Sequence, residues 1–314
     1  MIGRPVKRVV IGANAHALLS EALLLRRPDL EVRGRRYTEV SEDDLQWGEA
    51  YLGFRRPPVA GMGNIRWVHC TGAGVDAWLF PEELPRDVLF TRTTESFGPM
   101  IAEWALARAL AFSQQLRELT EDQQLRKWQH RDVSMLRGTR AVVVGTGDVG
   151  SHVARLFRAL GCVVHGISRS GIGDPEVFAS CSTPASLANE AATADWLIVT
   201  LPLTAATRGL VGRAVLESCQ GAVLLNAGRG AVVDEALIPE ALRKGWLRGV
   251  ALDVFDVEPL PQESPLWSDP RVMISPHISG PTTPVAALDG FLACLEALER
   301  GERPLTVVDR ERQY

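Results

Sequence analysis

"AVVVGTGDVGSHVARLFRALGCVVHGISRSG", residues 141–171, decides how this 314-residue chain folds. Ala141–Val144 is an uninterrupted apolar run, as expected of a strand covered on both faces. Gly145-Thr146-Gly147-Asp148-Val149-Gly150 follows and matches GxGxxG. A helical period comes next, with Val153, Leu156, Phe157 and Leu160 on its inner side, and then a second strand over 163–167. A glycine turn alone is a weak signal. Between a strand and an amphipathic helix it reads as a dinucleotide site. The first Gly permits the turn, the second lets backbone approach a pyrophosphate, and the third lets helix and strand pack. The N–H groups at the helix start then face the phosphates, so Gly145, Gly147, Asp148, Val149 and Gly150 are assigned to the cofactor. An acidic side chain is unhelpful there, so Asp148 is expected to contribute its backbone N–H.

A carboxylate at the end of the second strand would accept from the ribose hydroxyls and repel a 2′-phosphate. This chain has Ser168-Arg169-Ser170 instead. A planar cationic fork and two hydroxyls suit a phosphate dianion, so NADPH is expected as the preferred cofactor, with NADH second.

Beyond this stretch the strand–helix alternation is regular. Strands fit at 141–145, 163–167, 196–200, 222–225, 249–252 and 272–274, and helices at 148–160, 184–190, 211–219 and 234–244. Such alternation implies a parallel sheet with right-handed crossovers. The glycine motif starts late, so a domain precedes it. Val6–Ile11, Ile65–Val68 and Val88–Thr91 read as its strands and Ala15–Leu25 as a helix. Residues 98–127 carry Ile101, Trp104, Ala105, Ala109, Phe112, Leu116 and Leu119 at helical spacing and read as a long connector and dimer surface. The tail, a helix over 284–300 and a strand over 305–308, has no place in a completed nucleotide fold and is expected to return to the first domain. The expected fold is therefore α/β, with two domains, Rossmann-like and flavodoxin-like, built on parallel sheets with an active-site cleft between them. Residues 1–96 with 281–314 form the substrate-binding domain and 97–280 the dinucleotide-binding domain.

Composition narrows the class. With 34 Lys and Arg against 38 Asp and Glu, the net charge of −4 gives no field to draw in nucleic acid. Five dispersed Cys form no CxxC or zinc-type spacing, so no metal is expected and reduced thiols in a cytoplasmic protein are. Arg4, Lys7 and Arg8 before an apolar run imitate a signal peptide. The run Val9–Ala13 is too short for one, and no segment reaches the roughly 18 apolar residues of a membrane span. The eight Trp read mostly as core.

Three later stretches carry ionisable residues just after expected strands, where open α/β sheets bind ligands. They hold Arg229, Glu258 and His277. Arg offers a bidentate fork for a carboxylate. His exchanges protons near neutral pH, and a carboxylate beside it orients the ring and favours its charged form. Singly, each also reads as a surface charge, a turn cap or a satisfied histidine. In one sheet with a dinucleotide motif, they read as a site.

The chain resembles the D-isomer-specific 2-hydroxyacid dehydrogenases over nearly its whole length. The motifs are Gly72-Ala73-Gly74-Val75-Asp76, the glycine helix, Leu201-Pro202-Leu203-Thr204 with Thr207, Asn226-Ala227-Gly228-Arg229-Gly230, Leu252-Asp253-Val254-Phe255 with Glu258-Pro259, and Ser275-Pro276-His277. The "SPLW", "DPRV" and "PHISGPTTP" stretches look most like the glyoxylate/hydroxypyruvate reductase branch. The resemblance implies that Arg229 holds the substrate, that His277 gives the proton and that Glu258 keeps His277 charged. It also implies that the N–H groups of Ala73 and Gly74 clamp the carboxylate. Asp253 would meet the nicotinamide end and Pro202 the adenosine end, with Leu201, Thr207, Ala227, Gly228 and Gly280 completing the cofactor set. A homodimer is implied as well. Two positions depart from the pattern: Asp148 stands where many members have Arg, and Arg92-Thr93 where many have Asn.

The expected function is reduction of small 2-oxoacids, glyoxylate or hydroxypyruvate first. The alternatives are a dehydrogenase for a different or larger 2-hydroxyacid, and a non-enzymatic dinucleotide-sensing protein like the carboxy-terminal-binding corepressors.

Overall fold

The computed structural model describes residues 5–80, 84–94 and 97–314. Arg4 lies outside them, as do the last residues of the expected 1–96 segment. The chain divides into two compact units, 1–96 with 282–314, and 97–281.

The first unit runs β1 (Arg8–Gly12), α1 (His16–Arg26), β2 (Glu31–Arg35), α2 (Glu42–Trp47), β3 (Ala50–Leu52), β4 (Trp67–Cys70), α3 (Asp76–Leu79) and β5 (Leu89–Arg92). Its strands are parallel in the order β2-β1-β3-β4-β5, the flavodoxin-like winding. In the second unit, α4 (Phe97–Ser113) and α5 (Leu116–Gln124) precede β6 (Arg140–Val144), α6 (Asp148–Ala159), β7 (Val163–Ile167), β8 (Ser180–Ser182), α7 (Leu187–Ala191) and β9 (Trp196–Val199). Then come α8 (Arg213–Ser218), β10 (Ala222–Asn226), α9 (Ile238–Lys244), β11 (Leu247–Leu252) and β12 (Val272–Ile274). The sheet order is β12-β11-β10-β9-β6-β7-β8, all parallel. Read from β6, that is the Rossmann order with one added strand, and its direction reverses between β6 and β9. α10 (Pro284–Glu299) returns to the first unit, where Phe291 stacks on Trp67 with ring centroids 4.6 Å apart.

Each sheet sits in its own core. Val142, Val144, Leu197, Val199, Leu224, Val250 and Leu252 bury one face of the second sheet. Ile11, Leu52 and Trp67 lie on one face of the first sheet, and Tyr51, Val68 and Phe90 on the other. His69 is a structural histidine. It is fully buried between Thr91 Oγ1 at 2.8 Å and Thr93 Oγ1 at 3.1 Å, and burial pushes its pKa down to about 3.

Four details depart from expectation. The connector over 98–127 is two helices. Gln115, at φ 50°, starts the second, and beyond it the stripe turns outward, leaving Leu116 50% and Leu119 39% exposed. Leu160 lies past the end of α6 and is 41% exposed, so Val153, Ala154 and Phe157 form the inner side. Strand β2 was hidden because "EVRGR" is polar, as an edge strand can be. Residues 305–308 contribute only an isolated antiparallel bridge, from Val307 to Thr91.

Gly150 fixes how α6 meets β6. A Cβ there would stand 1.8 Å from the Gly145 carbonyl oxygen. Gly150→Ala is therefore expected to destabilise by about 1–3 kcal/mol, as overpacking does, and thermal unfolding measures it. A Tm equal to that of the unmodified protein would show that the helix slides freely.

Candidate active site

The second unit collects its polar groups at the carboxyl edge of the sheet. After β6, Gly145 takes φ 111°, which admits a glycine but strains other residues. α6 then starts from Gly147, whose α-hydrogen side is open, and no described side chain caps it. An uncapped N-terminus of a twelve-residue helix with open space before it fits a pyrophosphate. Val149 is half-buried in its first turn. Asp148 turns back along the helix, its Oδ1 lying 3.3 Å from His152 Nδ1. After β9, the Leu201–Thr207 loop is closed on itself. Thr207 Oγ1 donates to the Pro202 carbonyl at 2.7 Å and accepts from Thr204 N–H at 2.8 Å.

The loop after β7 carries Ser168, Arg169 and Ser170. Arg169 is exposed. Ser168 Oγ donates to the Ile172 carbonyl at 2.9 Å, and Ser170 Oγ accepts from Ile172 N–H at 3.3 Å. Both hydroxyls shape the turn that presents Arg169.

Asn226 builds the next loop. It is 1% exposed, its Oδ1 accepts from Gly228 N–H and its Nδ2 donates to the Arg229 carbonyl, both at 3.1 Å. Ala227 N–H is used by the Val199 carbonyl at 3.1 Å. A Cβ on Gly228 would stand 2.5 Å from the Leu201 carbonyl oxygen, and one on Gly230 1.9 Å from the Phe255 carbonyl carbon. Backbone therefore passes close on both sides of Arg229, which reaches the Gly228 carbonyl at 2.8 Å.

The loops after β11 and β12 supply the acid–base pair. Glu258 Oε2 lies 2.8 Å from His277 Nδ1, and its Oε1 accepts from Phe255 N–H at 3.0 Å. Burial alone would raise the Glu258 pKa. The hydrogen bonds from His277 and Phe255 and the charges of His277 and Arg229 outweigh it, holding the carboxyl below its ordinary range. The pair uses Nδ1 and leaves Nε2 as the second nitrogen of a partly exposed ring. Such a ring can pass a proton to a bound oxygen, and Arg229 beside it can hold a carboxylate.

Asp253, expected at the nicotinamide end, follows β11 and is held by the next loop. It is fully buried, and its carboxylate accepts from Ser275 Oγ, Ile278 N–H and Ser279 N–H at 2.6, 3.0 and 2.8 Å. Gly280 backs onto Ile101 and Phe97 of α4.

In the first unit, Ala73 and Gly74 follow β4, half-buried. Arg92 Nη1 donates to the Ala73 carbonyl at 2.6 Å, so the residue that departs from the family pattern holds this loop. Its signal in the sequence is its place at the end of a strand of the same sheet. Among the described residues no three His, Cys, Asp or Glu side chains are placed to hold a metal ion, and no helix is long and apolar enough to cross a membrane. All five Cys are free, and burial raises the Cys219 thiol to about 11.

Fold and site together define a dinucleotide-dependent oxidoreductase with a His–Glu pair and an arginine at one sheet edge. The chain belongs to the D-isomer specific 2-hydroxyacid dehydrogenases, enzymes that use NAD(P). The family's NAD binding domain matches residues 106–279. A glyoxylate/hydroxypyruvate reductase A from Serratia proteamaculans is 35% identical over 267 residues, covering 81% of this chain and 84% of that protein. A D-isomer specific 2-hydroxyacid dehydrogenase from Xanthobacter autotrophicus Py2, solved with NADPH and MES, is 31% identical with a TM-score of 0.88, covering 98% of this chain and all of that one. The NADPH-dependent glyoxylate/hydroxypyruvate reductase from Sinorhizobium meliloti, solved with NADP and sulfate, is 27% identical with a TM-score of 0.88 over the same shares.

Proposed function

We propose that this protein reduces small 2-oxoacids, glyoxylate and hydroxypyruvate first, with NADPH preferred, as a cytoplasmic homodimer. The observation that carries the reading is the 2.8 Å contact between His277 Nδ1 and Glu258, beside Arg229. Arg229 binds the substrate carboxylate and carbonyl, the N–H groups of Ala73 and Gly74 bind its carboxylate, and His277 donates a proton from Nε2 to the carbonyl oxygen. The bound nicotinamide supplies the hydride. Glu258 orients the ring through Nδ1. The relatives' names support the substrate class, and Arg169 supports the phosphorylated cofactor. Leu116, Leu119, Leu125 and Trp128, exposed on and just after α5, support the dimer. Initial rates with NADPH and NADH across a panel of 2-oxoacids test the reading. No cofactor oxidation with any of them would sink it in favour of a dinucleotide-sensing role.

The pair also sets a pH dependence. Reduction of the carbonyl consumes a proton, so the rate is expected to fall as pH rises. Glu258, held below the ordinary carboxylate range, keeps its charge on acidification until the pH passes below that lowered value. Glu258→Gln removes the carboxylate that faces His277 Nδ1, so the basic limb of the kcat/KM profile is expected to move to lower pH. An unmoved limb would make Glu258 a turn residue only.

A further inference from the structure

The loop that carries His277 is wrapped around one buried carboxylate. Asp253 is 0% exposed, Ser275 3% and Trp104 7%. Asp253 Oδ1 accepts from Ser275 Oγ at 2.6 Å and from Ile278 N–H at 3.0 Å, and its Oδ2 accepts from Ser279 N–H at 2.8 Å. Its backbone carbonyl accepts from His277 N–H at 2.8 Å. His277 thus sits between three groups tied to one residue. Its own backbone is at φ 54°, a left-handed conformation that strains a histidine and persists only where the surroundings over-determine it. A buried carboxylate without donors would be costly, and here every donor comes from the loop it organises.

Ser275 decides which way that carboxylate faces. A hydroxyl has one proton to give, and this one goes to Asp253. It is directed there because the oxygen accepts from Trp104 Nε1 at 2.9 Å. Trp104 comes from α4, far away in sequence.

We propose that Trp104, Ser275 and Asp253 form a buried hydrogen-bonded relay that holds the 275–279 loop and thereby aims His277 at the substrate oxygen. They are positioning residues and act through His277. The proposal rests on the reading of His277 as proton donor.

The test uses the full-length protein with Ser275→Ala, Ser275→Thr, Trp104→Phe and, as reference, His277→Ala. Four quantities are measured: kcat and KM for glyoxylate, the dissociation constant of NADPH by its fluorescence, and amide hydrogen exchange at Ile278 and Ser279 in the cofactor-free protein. Misplacing a reacting group by a fraction of an ångström costs roughly tenfold in rate. Ser275→Ala is expected to lower kcat by about that factor and to speed exchange at both amides, with KM and the dissociation constant within about twofold. Ser275→Thr keeps the hydroxyl and restores both. Trp104→Phe, which keeps the ring packing and removes the donor, moves both in the same direction by less and carries the test if Ser275→Ala does not fold. Unchanged exchange at both amides in Ser275→Ala and Trp104→Phe would overturn the relay. So would unchanged kcat in both while His277→Ala is inactive. If His277→Ala turns over normally, the proton-donor reading falls, and the exchange data alone decide whether the relay holds the loop.

Discussion

Replacing His277 with alanine is expected to lower kcat for 2-oxoacid reduction by about 10²–10⁴-fold, the range a positioned general acid contributes. The alanine leaves a bound carbonyl with no proton donor at the end of β12, while the cofactor helix is untouched. NADPH affinity should therefore stay as it is. Arg229→Ala separates binding from proton transfer. It removes the guanidinium that pairs with a carboxylate, so KM is expected to rise as well as kcat to fall. Steady-state kinetics with a fluorescence titration of cofactor reads both. Near-normal turnover by the His277 variant would mean that the proton comes from elsewhere and that the 2.8 Å pair with Glu258 is structural.

Much of this site was legible because its chemistry is local. The glycine turn could be read because Gly145 takes a positive φ and Gly150 lies under a carbonyl, and no other residue meets both demands. Arg229, Glu258 and His277 could be singled out because each closely follows an apolar run that reads as a strand, and parallel strands of one sheet all end at the same edge. What stayed hidden depends on distant parts of the chain. Asp253 stands just after a strand, where a ligand contact is expected, and its hold on the 275–279 loop leaves no mark in the local sequence. Its donors lie 22, 25 and 26 residues away, and only the folded loop shows them. Ser275 gave no sign that Trp104 would fix its hydroxyl across 171 residues. The break at Gln115 was invisible because the apolar spacing runs through it, whereas its backbone at φ 50° does not. The pattern marks Ser168 and Ser170 only as hydroxyls beside Arg169, and cannot show that both also meet Ile172 in the turn.

That last point sharpens the cofactor prediction onto one side chain. Ser168 spends its hydroxyl proton on the Ile172 carbonyl and Ser170 Oγ accepts from Ile172 N–H, so most of the selectivity for the 2′-phosphate falls on the charge of Arg169. A charge-assisted hydrogen bond is worth roughly 1.5–3 kcal/mol. Arg169 is exposed, and salt screens exposed charges, so the lower part of that range applies. Arg169→Ala is expected to weaken NADPH binding by about tenfold and to leave NADH within a factor of about two. Arg169→Asp places a carboxylate where the phosphate would sit and offers an acceptor to the ribose hydroxyls. It should weaken NADPH further, by about a hundredfold in all, and reverse the preference. Ser168→Ala acts differently. It loosens the turn that presents Arg169, so NADPH should weaken by less than in Arg169→Ala, with NADH again unaffected. Dissociation constants for both cofactors across the three variants test the assignment. Equal weakening of NADPH and NADH in Arg169→Ala would show that the arginine supports the loop and that the phosphate is not what it reads.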